Sequence, residues 1–389
     1  MEIRRGNKQE FNTIIDFINF VFSSNPGGCP HSFLDLYANL YLESDESMHN
    51  LINMWDDNLI VGSVLAFPRT LSVGGKELSV CGIGSVACHP RYRGKGIMSK
   101  LLSYNNEEMK KNGVQLSNLG GRRSRYNHFG YENAGNSYRV SVSTIAFKAS
   151  GYQAKGYSFV PFTIEDAELV NKMHELYNSK PVHYVYSAEQ FFLRLIIPAA
   201  KLAVPYAVYN EKSELLGYIA VDQNSECEMR EICLYDDSLT SEVIMEYVAQ
   251  NNTSVSASFY EYQLDDYLPL SSIGSLVRHC DSGMWAVLDW KSVISALLSF
   301  KASYACLPEG TLVLSLGDEK LEVSLKGNSV TVTDSDKDAE FAFSDLQSIS
   351  ALTAPVTASY FRKHSDPEKL NLALRWFPLP LACLSGERV

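Results

Sequence analysis

Between Val86 and Ser99 the chain reads VACHPRYRGKGIMS. The spacing of Arg91, Arg93, Gly94, Lys95 and Gly96 in that stretch is suited to holding an anion. An apolar run, Val80 to Cys88, feeds the basic turn, and a helical pattern with Ile97, Leu101, Leu102 and Met109 on one face leaves it. A helix start aims unpaired N–H groups and the positive end of the helix dipole at whatever lies before it, which favours a phosphate. Gly94 and Gly96 take Cβ atoms out of the way of the ligand, and Arg91, Arg93 and Lys95 add charge-assisted donors. The pattern is neither a Walker loop nor a G-x-G-x-x-G dinucleotide fingerprint. Downstream, Tyr126 in RYNHFGYE places a phenol in the same unit. His89 and His128 are titratable groups nearby, with His128 a second candidate for a base, and Asp35 and Glu43 are candidate acidic liners of a substrate pocket.

The elements that must position these residues follow from periodicity. A strand opens at Ile3, and a helix with Phe11, Ile14, Ile15, Ile18, Val21 and Phe22 on one face ends before Asn25-Pro26-Gly27-Gly28. Phe33 to Leu42 reads as a second short helix. A meander follows: His49 to Trp55, Leu59 to Val73, the Gly74-Gly75 turn, then Glu77 to Cys88. The helix after the basic turn runs to Lys111, Val114 to Leu119 is the next strand, and a strand from Arg139 to Lys148 closes the unit. The first ~150 residues are a mixed α/β layer with one anion turn.

A second segment repeats this order of helices, meander and strand into helix, with a Ser187-x-x-Gln190 capping box before FFLRLII and a stop at Pro198. Its strand-to-helix junction is Tyr235-Asp236-Asp237-Ser238, without glycine or base, and two carboxylates there repel a pyrophosphate. Internal duplication with loss of the second anion site, or an unrelated α/β domain of similar order, both fit. The third segment begins near Gly283 with a strand, Met284 to Trp290. It continues through a helix, three strands turned at Gly317-Asp318 and Gly327-Asn328, and a fourth strand. Further helices and the tail FPLPLACLSGERV complete it.

Composition sets the frame. At 389 residues, two or three domains are expected. The net charge of −11 argues against nucleic acid as partner and suits cationic small molecules or basic peptides. None of the cysteines forms a C-x-x-C pair, which points to a reducing cytoplasm without disulfide frame or metal site. No apolar run is long enough to span a bilayer, so no membrane partner is expected.

The order of elements, the Arg91-x-x-Gly94-x-Gly96 turn and Tyr126 four residues before Gly130 resemble the GCN5-related N-acetyltransferase (GNAT) superfamily. The resemblance implies acetyl-CoA as co-substrate and no metal. It implies backbone contacts to pantetheine from Val86, Ala87 and Cys88. It implies a pyrophosphate grip by Arg91, Arg93, Gly94, Lys95, Gly96, Ile97, Met98 and Ser99, with Gly121 and Arg122 completing the cofactor site. Tyr126 takes the role of the acid that protonates the leaving thiolate. Two such units followed by a sterol-carrier-protein-like α+β fold resemble the bacterial enhanced-intracellular-survival (Eis) family over the whole chain. That implies units at 1–150, 151–282 and 283–389, a homo-hexamer, and a C-terminal carboxylate, here that of Val389, reaching the first site as general base. This chain ends Gly-Glu-Arg-Val, where that family usually ends in an aromatic residue.

The expected activity is acetyl transfer from acetyl-CoA to a primary amine of a cationic small molecule, aminoglycoside- or polyamine-like, or of a lysine side chain. An apolar-ligand-binding protein carrying a vestigial acetyltransferase unit is the alternative.

Overall fold

The computed structural model describes residues 1–24, 32–197, 202–222, 227–362 and 366–384. The turn Asn25–Gly28, the stop at Pro198 and the terminal Val389 lie outside the described residues. The strands, in chain order, are β1 (Glu2–Arg5), β2 (Leu51–Asp56), β3 (Leu59–Val73), β4 (Lys76–Cys88), β5 (Leu116–Leu119), β6 (Glu132–Asn133) and β7 (Ser137–Val142). Then come β8 (Ser158–Pro161), β9 (Val182–Tyr184), β10 (Ala203–Tyr209), β11 (Leu215–Asp222), β12 (Glu228–Leu234), β13 (Val255–Phe259) and β14 (Leu276–Cys280). The last are β15 (Met284–Val287), β16 (Gly310–Leu316), β17 (Glu319–Lys326), β18 (Ser329–Asp334) and β19 (Phe341–Phe343).

They form three sheets: an 8-stranded sheet ordered β1-β2-β3-β4-β5-β15-β6 with β9 on β3, a 7-stranded sheet β14-β7-β13-β12-β11-β10-β8, and a 4-stranded sheet β18-β17-β16-β19. The chain is thus mixed α/β, with helices packed on each sheet. Among the described residues no helix is long and apolar enough to cross a membrane.

Two strands cross the segment divisions read from sequence. The stretch 139–148, expected as one strand closing the first unit, is β7 followed by a helix, Thr144–Ser150, and β7 pairs with β13 and β14 in the second sheet. Ser143 breaks the strand because its hydroxyl accepts from Ala146 N at 3.1 Å, an N-cap. Conversely β15, shorter than the expected strand to Trp290, inserts between β5 and β6 of the first sheet. Its fully buried Trp285 donates from Nε1 to Ser282 O at 2.9 Å, so the indole is buried with its polar handle satisfied. Alternating apolarity fixes that a strand exists here, but not which sheet receives it.

The helix Ile97–Lys111 covers β2, β3 and β4 by burying Ile97, Leu101, Leu102 and Met109. Gly62 on β3 makes room for it: a Cβ there would stand 2.5 Å from Ile97 Cγ2. The second expected helix is a single turn, Phe33–Leu36, and Asp45–His49 forms another, so Leu40 and Tyr41 lie in the connection between them. The terminal stretch is a packed element rather than a loose tail. Phe377, Leu379, Leu381, Cys383 and Leu384 are buried. Leu379 N donates to Leu352 O at 2.6 Å and Asn136 N to Leu381 O at 3.0 Å, tying the tail to the first unit.

Candidate active site

β4 and β5 run parallel and in register from Val80↔Leu116 to Ile83↔Leu119, where their pairing ends. β4 continues through Gly84 to Cys88 while β5 stops at Leu119, so the two part and leave a wedge. The parting coincides with a bulge: on the β3 side the register jumps between Ser63 and Leu65, and Ser85 lies at φ 46°. A serine in that region is strained by roughly 1–3 kcal/mol and needs neighbours that hold it. Tyr41 is one of them. Its hydroxyl, in a side chain only 3% exposed, hydrogen-bonds Ser85 Oγ, and burial pushes the phenol well above its ordinary range. Nothing in the sequence spacing flags this pair; it forms because the connection after Phe33–Leu36 folds over the bulge.

The basic turn closes the open end of the wedge. Pro90–Tyr92 forms one 3-10 turn, started by His89, whose Nδ1 accepts from Arg91 N at 3.2 Å. The imidazole packs 5.5 Å from Phe20 and 5.6 Å from Tyr92, so His89 shapes the turn. Tyr92 donates to Asp56 Oδ2 at 2.7 Å, and Lys95 Nζ sits 4.3 Å above the Tyr92 ring. Gly94 and Gly96 hold φ 78° and 75°, with open space where a Cβ would stand. Glycine is required there by conformation, and the space it leaves is the cradle a phosphate needs. Ile97 is buried and anchors the first helical turn, Met98 is half-buried, and Arg91, Arg93, Lys95 and Ser99 are exposed. The backbone N–H groups of that first turn have no partner within the helix. A wedge beside Val86–Cys88 with a cationic concave turn at its end fits a thioester carried on an extended arm that ends in a diphosphate.

Tyr126 closes the short helix Arg123–Tyr126 and is 5% exposed, packed with Leu119, Tyr131, Ile97 and Leu101. Burial pushes its phenol up, against the neighbouring Arg125 guanidinium, which draws it down. It therefore stays protonated through neutral pH, as a proton donor must. Gly121 packs on its ring, since a Cβ there would lie 2.4 Å from Tyr126 Cε2. Arg123 holds Glu132 through paired bonds at 2.5 Å, fixing the helix to β6. Arg122 is exposed beside Gly121, and His128 is exposed on the following turn, Asn127–Phe129.

Two cavities flank this centre. One of about 330 Å³ lies at the end of β5, lined by Asn118 to Gly121, Gly283, Met284 and Cys383. The other, about 260 Å³, is lined by Tyr37, Leu40, Phe67, Arg69, Glu46 and Glu189, among others. Asp35 and Glu43 are exposed and line neither, so the acidic groups at the pocket are Glu46 and Glu189 instead. Glu189 comes from a helix far along the chain, which no local pattern connects to the site. Between the cavities, Arg69 reaches across the sheet and donates from Nη2 to Asn118 Oδ1 at 2.7 Å. Asn118 Nδ2 in turn lies 3.5 Å from Cys383 Sγ, so the docked tail reaches the end of β5.

Comparison with known proteins agrees with this geometry. Residues 2–134 match the family model of the acetyltransferase (GNAT) domain. No curated protein matches the sequence. Among solved structures, the chain resembles a GCN5-related N-acetyltransferase from Anabaena variabilis at TM-score 0.69 and 15% identity, covering 98% of each chain. It resembles a probable N-acyltransferase from Enterococcus faecalis, a conserved protein of unknown function, at TM-score 0.68 and 15% identity over 98% of this chain and 97% of that one. It resembles Eis1 from Mycobacterium abscessus at TM-score 0.67 and 13% identity over 100% of both chains. At these identities the likeness to the solved structures is one of fold; the acetyltransferase (GNAT) family model matches residues 2–134, the stretch that holds the wedge and the basic turn, and supports an acyltransferase.

Proposed function

We propose that the protein transfers the acetyl group of acetyl-CoA to a primary amine of a cationic small molecule, aminoglycoside- or polyamine-like, or of a lysine side chain. The observation that carries this reading is the parting of β4 from β5 immediately before the Arg91–Gly96 turn. In it the backbone of Val86, Ala87 and Cys88 pairs with the pantetheine arm. The turn, with the N–H groups of Ile97, Met98 and Ser99, holds the diphosphate, and Gly121 and Arg122 border the arm on the β5 side.

The amine nitrogen attacks the thioester carbonyl, polarised by a strand N–H. An N–C bond forms, the C–S bond breaks, and Tyr126 gives its proton to the departing thiolate. The ammonium must first lose a proton, and the carboxylate of Val389 is the base in this reading. Support comes from the tail, whose described part ends packed against Ser282, with Cys383 N donating to Ser282 Oγ at 2.8 Å. A carboxylate base works poorly on an amine of pKa ~10, and transfer into a crowded pocket lowers that value. Glu46 and Glu189 favour a cationic acceptor in the 260 Å³ cavity.

The same reading assigns 1–150 and 151–282 to an active and a degenerate acetyltransferase unit and 283–389 to a sterol-carrier-protein-like unit, assembled as a cytoplasmic homo-hexamer. The 4-stranded sheet with its flanking helices supports the third unit.

The test mixes the purified protein with acetyl-CoA and a panel of amines, an aminoglycoside and a polyamine among them, and follows thiol release. Acceptor-dependent release is expected. Its absence with every amine, together with retention of an apolar ligand, would replace this reading with that of a binding protein.

A further inference from the structure

The second sheet repeats the geometry of the first at a place with no role in acetyl transfer. β12 and β13 are parallel but paired only at Glu228↔Ser256 and Met229↔Ala257. Beyond that they diverge, and a cavity of about 150 Å³ fills the gap, bordered by Met229 to Cys233 on one side and Ala257 to Tyr260 on the other. The junction after β12 cannot hold a phosphate. Asp236 Oδ1 accepts from Ser238 N at 3.0 Å, and Asp237 Oδ1 accepts from Lys180 Nζ at 2.7 Å.

The charges around the gap are unevenly matched. Glu231 is held by Arg194 at 2.5 and 2.7 Å, and Arg230 by Asp222 at 2.8 Å and Glu228 at 3.1 Å. Lys180 serves Asp237 and the Leu234 carbonyl. That leaves Asp266, from the helix Leu264–Ser271, whose carboxylate takes no hydrogen bond and no ion pair among the described residues. It faces Asp237, Asp236 and Asp265, with Lys180 the one cation acting on it, and burial with these neighbours lifts its carboxyl to about 6. Beside it stands Tyr262, its hydroxyl without a hydrogen bond among the described residues and its ring stacked 5.9 Å from Tyr260. Phe259 and Tyr177 complete aromatic walls around the gap.

We infer that this second wedge is a binding site for a small primary ammonium ion, with Asp266 as its counter-charge and Tyr262 as both hydrogen-bond partner and aromatic wall. An ammonium supplies the counter-charge that Asp266 lacks, and an alkyl body of a few carbons suits the volume and the lining of Met229, Cys233 and Ala257. A phosphate or carboxylate is excluded by the carboxylates at the mouth. The site also touches Leu384. The residue before it, Cys383, receives the Tyr260 hydroxyl on its carbonyl at 3.2 Å and lines the cavity at the end of β5. The second wedge and the cavity at the end of β5 thus border adjacent residues of the tail. The inference concerns binding and does not rest on acetyl transfer.

The test is calorimetric titration of the full chain, without acetyl-CoA, with n-pentylammonium chloride and with 1-pentanol as the neutral isostere. Saturable binding of the ammonium is expected, with pentanol at least ~10-fold weaker and Asp266→Asn weakening the ammonium at least ~10-fold. Binding unaffected by Asp266→Asn, equal binding of pentanol, or no saturable binding would overturn the inference. Should the Asn variant fail to fold, the wild-type chain decides. Affinity must fall about tenfold from about pH 8 to about pH 5, as Asp266 takes up its proton while the ligand stays charged, and a flat profile would overturn the assignment.

Discussion

Gly121→Ala is the sharpest probe of the Tyr126 role, because it leaves the phenol in place and moves it. The added Cβ would stand 2.4 Å from Cε2, 2.9 Å from Cδ2 and 3.4 Å from Cζ of the Tyr126 ring. Ordinary contact begins at 3.4 Å, so the ring must retreat by about 1 Å. Gly121 does not hold a positive φ, so alanine brings no backbone strain, and the substitution acts through the ring alone. Overpacking of this kind costs about 1–3 kcal/mol of stability. A catalytic group displaced by about 1 Å loses up to ~100-fold in rate.

The assay is thiol release at saturating acetyl-CoA, with thermal unfolding followed in parallel. Gly121→Ala should lower kcat by ~10- to 100-fold with little change in the KM for acetyl-CoA. The double variant Gly121→Ala/Tyr126→Phe should be little worse than Tyr126→Phe alone, since both act on one hydroxyl. Full activity in Gly121→Ala, or losses that multiply in the double variant, would refute the placement of Tyr126 as the acid.

Other outcomes follow from the same geometry. Replacing Arg91 and Arg93 by alanine should weaken coenzyme A binding by ~10-fold or more at low salt, with the difference shrinking as salt screens these exposed charges; equilibrium binding at two ionic strengths checks it. Tyr41→Phe should lower kcat more than acetyl-CoA affinity by loosening the Ser85 bulge, as steady-state thiol release over a range of acetyl-CoA concentrations will show. Arg194→Leu removes the paired bonds to the half-buried Glu231, which keeps only the Tyr218 hydroxyl as a partner among the described residues, and should cost about 1.5–3 kcal/mol in denaturant unfolding.

Asp266 is lifted to about 6 in the fold, above its unfolded value, so the folded chain binds the extra proton. Its favourable contribution is present at low pH and is lost as pH rises through about 6. Asp266→Asn should therefore raise stability near pH 8 by at most ~1 kcal/mol after solvent screening, a gain that disappears below pH ~4.

Much of the first site is legible in the chain because its parts are contiguous. Strand, basic glycine turn and helix start lie within Val80–Lys111, and short-range sterics and the helix dipole dictate what they do. The hairpins at Gly317 and Gly327 are legible for the same reason, each needing positive φ where glycine stands. What the sequence left open depends on pairing across distance. Periodicity of two says that 137–142 and 284–287 are strands, yet only packing decides that the first joins the second sheet and the second the first. Tyr41 finds Ser85, Arg69 finds Asn118, and Glu189 reaches the cavity it shares with Glu46 through contacts between residues tens of positions apart, for which no local spacing exists. The charges tell the same story. Asp236 and Asp237 are visible as a lost phosphate site, but Asp266 becomes their unneutralised neighbour only when its helix packs across the mouth of the second wedge. Local chemistry is written in neighbouring residues, whereas the electrostatic balance of a cavity depends on which distant groups the fold brings to its rim.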